Sequence, residues 1–158
     1  MRRAPAFRAL ILPLAASALA ACHGAGPTRT AGGPYAQMDN LVGTAIGDPS
    51  TCLLLAERAT GKVVYQYGEA ENCDRQLPAC DHPGTLNARQ ALKFADPGRL
   101  ASCPTSADGT RNVGWAEGRV PSKKGSDLIY SADMEGERAL PGHEMNARLY
   151  DAFTAANL

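Results

Sequence analysis

The sequence predicts an α+β fold: a small antiparallel sheet of two β-hairpins with a C-terminal amphipathic helix packed on it. Three observations predict it. Two extended runs flank a short loop at Gly61, a second pair of runs flanks a turn rich in Pro, Lys, Gly and Ser, and the end of the chain changes to a helical period.

The first hairpin starts with Cys52-Leu53-Leu54-Leu55-Ala56, passes through polar Glu57 to Thr60 and Gly61, and returns as Lys62-Val63-Val64-Tyr65-Gln66-Tyr67-Gly68. In the second, Asn112 to Arg119 alternates and carries Trp115, Val120 to Ser126 is the turn, and Asp127 to Met134 resumes the alternation. Leu128, Tyr130, Ala132 and Met134 then share one face, because strand side chains alternate. Past Pro141-Gly142, the residues Met145, Leu149, Ala152, Phe153 and Ala156 fall on one helical stripe, which marks Met145 and Phe153 as core. Between them, Leu86 to Phe94 reads as one short helix ended by Pro97-Gly98, and the rest of Asp81 to Asp108 reads as loop.

The N-terminus carries an export signal. Arg2, Arg3 and Arg8 supply positive charge, and no acidic residue occurs before Asp39. The apolar run Ala9 to Leu19 is about half the roughly 20 residues that a spanning helix needs, so residues 1–21 read as a cleavable signal. The run closes as Leu19-Ala20-Ala21-Cys22, which resembles the lipobox of bacterial lipoproteins, where the cysteine is lipidated (commonly with palmitate among its acyl chains) and becomes the new N-terminus. The resemblance implies lipidation at Cys22, a membrane anchor and a periplasmic domain. His23 stands where an aspartate commonly retains such proteins at the inner membrane, which favours the outer membrane.

Residues 22–38 are rich in Gly, Ala, Thr and Pro and read as a flexible tether with a reach of about 20–25 Å. A single domain is expected over 39–158. The whole chain has 16 basic and 16 acidic residues, and loss of three arginines with the signal leaves the remainder three charges negative. It has no basic run, and Lys123-Lys124 is its only adjacent pair of lysines, so nucleic acid is not an expected partner. The expected partners are the membrane, through the lipid, and an envelope protein or cell-wall ligand.

Cys52, Cys73, Cys80 and Cys103 remain, an even number that favours disulfides in an exported domain. Four cysteines allow three pairings. If the first hairpin forms, Cys52 and Cys73 fall at its open ends, which favours that pair and leaves Cys80 with Cys103 by default. Cys73, Cys80, His82 and Cys103 are also ligand types that zinc accepts, but their spacing is irregular and no Cys-x-x-Cys knuckle occurs. No metal and no cofactor are expected.

Several residues carry a bland reading beside a sharper one. His143-Glu144 has no second histidine at ligand spacing and reads as an exposed helix start. Asp133, Glu135 and Glu137 read as a solvated turn at a strand end, and Trp115 as core, with a binding face as the alternative.

Val113-Gly114-Trp115-Ala116-Glu117, then Leu128-Ile129-Tyr130-Ser131-Ala132-Asp133-Met134-Glu135, then a final amphipathic helix, resemble the end of the class D serine β-lactamases and their penicillin-binding relatives. In that family a Val-Gly-Trp-x-Glu strand pairs with a strand ending near Asn-Met-Asp. Cys52 through Gly61, Cys73-Asp74-Arg75 and Pro78-Ala79 resemble its first hairpin and the approach to its nucleophile. The resemblance covers about half of the mature chain, at its two ends.

Family chemistry needs Ser-x-x-Lys at a helix start, the lysine serving to deprotonate the serine. Here Pro78-Ala79 is followed by Cys80-Asp81-His82-Pro83, no serine has a lysine three residues on, and no Lys-Thr-Gly or Lys-Ser-Gly triplet exists. Lys123-Lys124-Gly125-Ser126 comes closest but lies in the second hairpin's turn. The segment from Cys80 to Asn112 also leaves no room for the family's helical part.

A Cys80 nucleophile activated by His82 is the unconventional alternative. Pro83 disfavours helical geometry at His82, and an oxidising compartment disfavours a free thiol. The expectation is therefore a non-catalytic envelope module derived from a penicillin-recognising hydrolase, without catalytic residues. The alternative is a degenerate or unconventional hydrolase of that type.

Overall fold

A strand that is apolar at every position must be covered on both faces, and Cys52-Leu53-Leu54-Leu55-Ala56 is such a strand. The computed structural model describes residues 35–121 and 127–158; Cys22, the signal and Lys123 to Ser126 lie outside the described residues. That strand, β1 (Cys52–Glu57), pairs antiparallel with β2 (Val63–Tyr67) and with β7 (Leu128–Gly136). With β6 (Asn112–Arg119) and β5 (Arg99–Pro104) they form an antiparallel five-stranded sheet in the order β2-β1-β7-β6-β5.

One face of the sheet packs on two helices, α1 (Met38–Ile46) and α4 (Gly142–Ala156). Leu53 and Leu55 of β1 and Leu128, Tyr130, Ala132 and Met134 of β7 meet Met145, Leu149, Phe153 and Ala156 there. The five residues of the predicted stripe are all buried in α4. The two helices run antiparallel: Gln37 Nε2 donates to Ala156 O at one end, and Arg148 Nη1 donates to Ala45 O at the other. Tyr130 Oη donates to Asn146 Oδ1, fixing α4 to the sheet's centre.

The first helix corrects the expected start of the domain. Met38, Val42 and Ile46, one helical turn apart, are buried in the core, and Tyr35 packs against it. The packed structure therefore reaches back into the last residues assigned to the tether. The sequence does carry the signal: Met38, Leu41, Val42, Ala45 and Ile46 repeat at the spacing of one helical face, and the Gly- and Pro-rich residues just before them masked it.

The other face is covered by residues 70–97, a string of short elements: α2 (Ala70–Asp74), a two-residue ladder of β3 (Leu77–Pro78) with β4 (Thr85–Leu86), α3 (Ala88–Ala91) and a 3₁₀ turn (Leu92–Phe94). The expected helix over Leu86–Phe94 is thus shorter. Asn87 caps it in a capping box with Gln90, so Leu86 is left in β4, and the last turn tightens at Leu92. One disulfide ties α2 to β1 (Cys52–Cys73) and another ties the β3–β4 loop to β5 (Cys80–Cys103).

The strand β5 overturns the reading of 99–104 as loop. Its inward residues are Arg99, Ala101 and Cys103, and its large apolar residue, Leu100, is 49% exposed. An edge strand with a charge inside and a leucine outside inverts the pattern that marks a strand in sequence.

The start of α4 lies against the β5–β6 backbone. A Cβ at Gly142 would sit 2.1 Å from Trp115 O, and one at Gly114 would sit 1.9 Å from Leu140 O. Both contacts are with backbone, which cannot swing aside. Gly142→Ala is therefore expected to destabilise the domain by about 1–3 kcal/mol, the range for overpacking a close-packed interior. A lower urea midpoint with an unchanged slope checks this, and an unchanged midpoint contradicts it.

Candidate functional site

In an antiparallel ladder, directly opposed residues share a face, so register alone shows what the covered face holds. Arg99, Glu117, Ser131 and Leu54 form one row across β5, β6, β7 and β1; Ala101, Trp115, Asp133 and Cys52 form the next. Four polar or charged side chains thus sit under residues 70–97. Glu117, Ser131 and Asp133 are at most 2% exposed.

Arg99 organises one side of this cluster. Its Nε and Nη2 donate to the two Glu117 carboxylate oxygens at 3.0 and 2.9 Å, a bidentate pair. Its Nη1 donates to Ala79 O and to Asp81 Oδ1, both at 2.8 Å. The guanidinium lies 5.0 Å from the Phe94 ring centre and 5.5 Å from that of Trp115, within cation–π range of both. Asp81 Oδ1 also meets His82 Nδ1 at 2.8 Å. Burial works against the Asp81 charge, but the bond with His82 and the charge of Arg99 hold its carboxyl below the usual range.

Burial acts the other way on the inner acids. It pushes Glu117 up to about 7 against the pull of Arg99. The Asp133 carboxyl is raised well above the usual range by burial; Arg75 opposes the shift, and the charge of Glu117 adds to it. Among the described residues, neither Asp133 oxygen and not the Ser131 hydroxyl has a hydrogen-bond partner. Trp115 is core, fully buried, with its Nε1 donating to Pro78 O at 2.7 Å.

The structure therefore corrects the reading of Asp133 as part of a solvated turn. Glu135, two residues on, is also drawn in: it accepts from Arg111 Nη2 at 2.8 Å and from Thr105 Oγ1 at 3.0 Å. Burial opposes its ionisation, but the bonds from Arg111 and Thr105 and the charge of Arg75 hold its carboxyl low. The sequence signal was parity. Asp133 stands an even number of residues from Ile129 and Ser131, on the face opposite Leu128 and Met134, and that face is interior only because residues 70–97 cover it.

Glu117 shares the parity of Val113 and Trp115, which could have marked it as buried. Arg99 had no such signal, because its strand was not legible.

The cysteines considered as zinc ligands are separated by their bonds. Cys73 is joined to Cys52 with S–S 2.07 Å, and Cys80 to Cys103 with S–S 2.19 Å, leaving His82 with Asp81 as its partner. No cluster of three or more His, Cys, Asp or Glu fit to hold a metal occurs among the described residues. His143 is exposed at the start of α4, and Glu144 pairs with Arg148 along the helix.

Chemically, the cluster can hold charge and protons. It offers no activated nucleophile among the described residues: the Cys80 sulfur is bonded to Cys103, and the Ser131 hydroxyl has no hydrogen-bond partner. Two surface depressions open away from it, one of about 600 Å³ beside Arg58, Arg89, Lys93 and Asp96, the other of about 580 Å³ beside Gly43, Tyr67 and Glu69. At the first, Asp96 pairs with Arg58 and, from outside the lining, with Arg119, at 2.6 and 2.8 Å. No family model matches the chain, and no curated protein or solved structure matches it either.

The inner acids set a pH dependence. A carboxyl whose folded value lies above its unfolded value contributes stability that is complete below the ordinary range and is lost as pH rises through the folded value. Asp133 and Glu117 both act in this sense, Glu117 through about 7. Asp81, Asp96 and Glu135 have lowered values and lose their contribution only as pH falls through the acid range, from about 4 downward. Thermal stability is therefore expected to fall from about pH 5 to about pH 8.5. Asp133→Asn is expected to raise the melting temperature at the upper end and to flatten the fall. Circular-dichroism melts across this window check both; a melting temperature that rises with pH there contradicts the assignment.

Proposed function

We propose that the chain is a lipid-anchored cell-envelope protein, lipidated at Cys22 and facing the periplasm, with a folded domain that binds an envelope protein or cell-wall ligand without catalysis. The domain derives, in this reading, from the penicillin-recognising serine hydrolases. The observation that carries it is at residue 80. The resemblance would place Ser-x-x-Lys there; the chain has Cys80-Asp81-His82-Pro83, with the cysteine sulfur bonded to Cys103. A disulfide sulfur has no thiolate to offer as a nucleophile.

Other observations support the same reading. The strand Val113-Gly114-Trp115-Ala116-Glu117 pairs with Ser131 to Glu135 in a register that opposes Trp115 to Asp133, in keeping with the strand pair of the resembled family. Both cysteine pairs are joined as disulfides, which suits an oxidising compartment. The Leu19-Ala20-Ala21-Cys22 sequence supports the lipid anchor, and His23 favours the outer membrane.

Two experiments test this. In a bacterial host, the wild-type chain is expected to incorporate labelled palmitate and to fractionate with membranes, and Cys22→Ser is expected to do neither. The domain is expected to take no covalent label from a fluorescent penicillin. Palmitate incorporation that survives Cys22→Ser contradicts the anchor, and penicillin labelling would turn the reading to the degenerate hydrolase.

A further inference from the structure

The two disulfides close loops of nearly equal length, with separations of 21 and 23 residues. Loop entropy depends only logarithmically on length, so it does not distinguish them. Their surroundings do. Cys52 and Cys73 are both 0% exposed, packed with Leu54 and Ala88 under α3. Cys80 and Cys103 are only half-buried, one in the loop between β3 and β4 and the other on the edge strand β5.

Backbone geometry separates them again. Cys80 has φ +74°, in the left-handed region that glycine and asparagine accept but that crowds the Cβ of other residues. The loop around it is held down independently of the sulfur bond. Arg99 grips Ala79 O and Asp81, and Trp115 Nε1 grips Pro78 O. The flanks of Cys80 therefore stay anchored when the bond opens.

Electrostatics point the same way. A thiolate released at Cys80 would emerge at a half-buried position between Ala79, whose carbonyl Arg99 holds, and Asp81, whose carboxylate the same arginine pairs. A thiolate released at Cys52 would form in a fully buried apolar interior. Burial in apolar surroundings opposes a thiolate, and partial exposure to water near a cation eases it.

We propose that Cys80–Cys103 is an exchange site, a disulfide that passes its oxidation state to an external dithiol, and that Cys52–Cys73 is purely structural. One thiolate of the dithiol attacks Cys103 Sγ; a new S–S bond forms there, the Cys80–Cys103 bond breaks, and Cys80 leaves with the electron pair as a thiolate. The second thiolate of the reductant attacks its own sulfur in the mixed disulfide and releases Cys103. The reductant departs as a disulfide, oxidised by two electrons, and the two protein thiolates take protons from water. The placement rests on this domain's geometry and is independent of the anchor at Cys22.

The test is timed reduction of the full chain by dithiothreitol, quenched by alkylation and mapped by peptide mass. In native buffer, Cys80–Cys103 is expected to open at least tenfold faster than Cys52–Cys73, and in guanidinium the ratio is expected to fall close to one. Equal rates in native buffer, or faster opening of Cys52–Cys73, would overturn the proposal. So would a tenfold ratio that persists in guanidinium, since the difference would then lie in the local sequence and not in the fold. The double variant Cys80→Ser/Cys103→Ser is expected to keep the native circular-dichroism spectrum and a cooperative melt. Loss of that fold would show the bond to be structural and would also overturn the proposal.

Discussion

The rest of this structure depends on one constraint: its sheet is covered on both faces. Once β1 is apolar from Cys52 to Ala56, helices on one side are not enough, and a second layer must come from the residues between β2 and β5. That segment forms no helix longer than five residues. It covers the sheet with a one-turn helix, a two-residue ladder, another short helix and a 3₁₀ turn, none of which is stable alone. Stability has to come from cross-links to the sheet, and the two disulfides, the Arg99 network and the Trp115 bond to Pro78 supply them.

The same constraint explains the buried polar cluster. Strand parity sends Ser131, Asp133 and Glu117 to the face that residues 70–97 close, whatever their polarity. Glu117 is compensated by a bidentate arginine. Asp133 has no such partner among the described residues and is accommodated by holding its proton, the usual outcome for an isolated carboxyl taken out of water. A buried, unsatisfied acid is a local conflict between sequence and fold, and such conflicts concentrate where a fold serves something besides stability.

Both hairpins and the final helix were legible because each carries a strong period: Leu128 to Met134 alternates, and Met145 to Ala156 repeats at helical spacing. The elements that were not legible share a physical reason. β5 places Arg99 inward and Leu100 outward, and α3 is a single capped turn. Each takes its conformation from what it packs on, so its own residues say little. The site followed the same rule. The cysteine pairing could be favoured from the first hairpin, but Arg99 and Asp133 acquire their roles only from the layer above them.

Trp115 tests the central claim most directly, because it is the single tryptophan and lies between the sheet and the layer that covers it, beneath Pro78 and beside Arg99. Its fluorescence should be blue-shifted in the native domain and resist quenching by acrylamide until the domain unfolds. A red-shifted, readily quenched emission under native conditions would contradict the account, since the second face of the sheet would then be open to water.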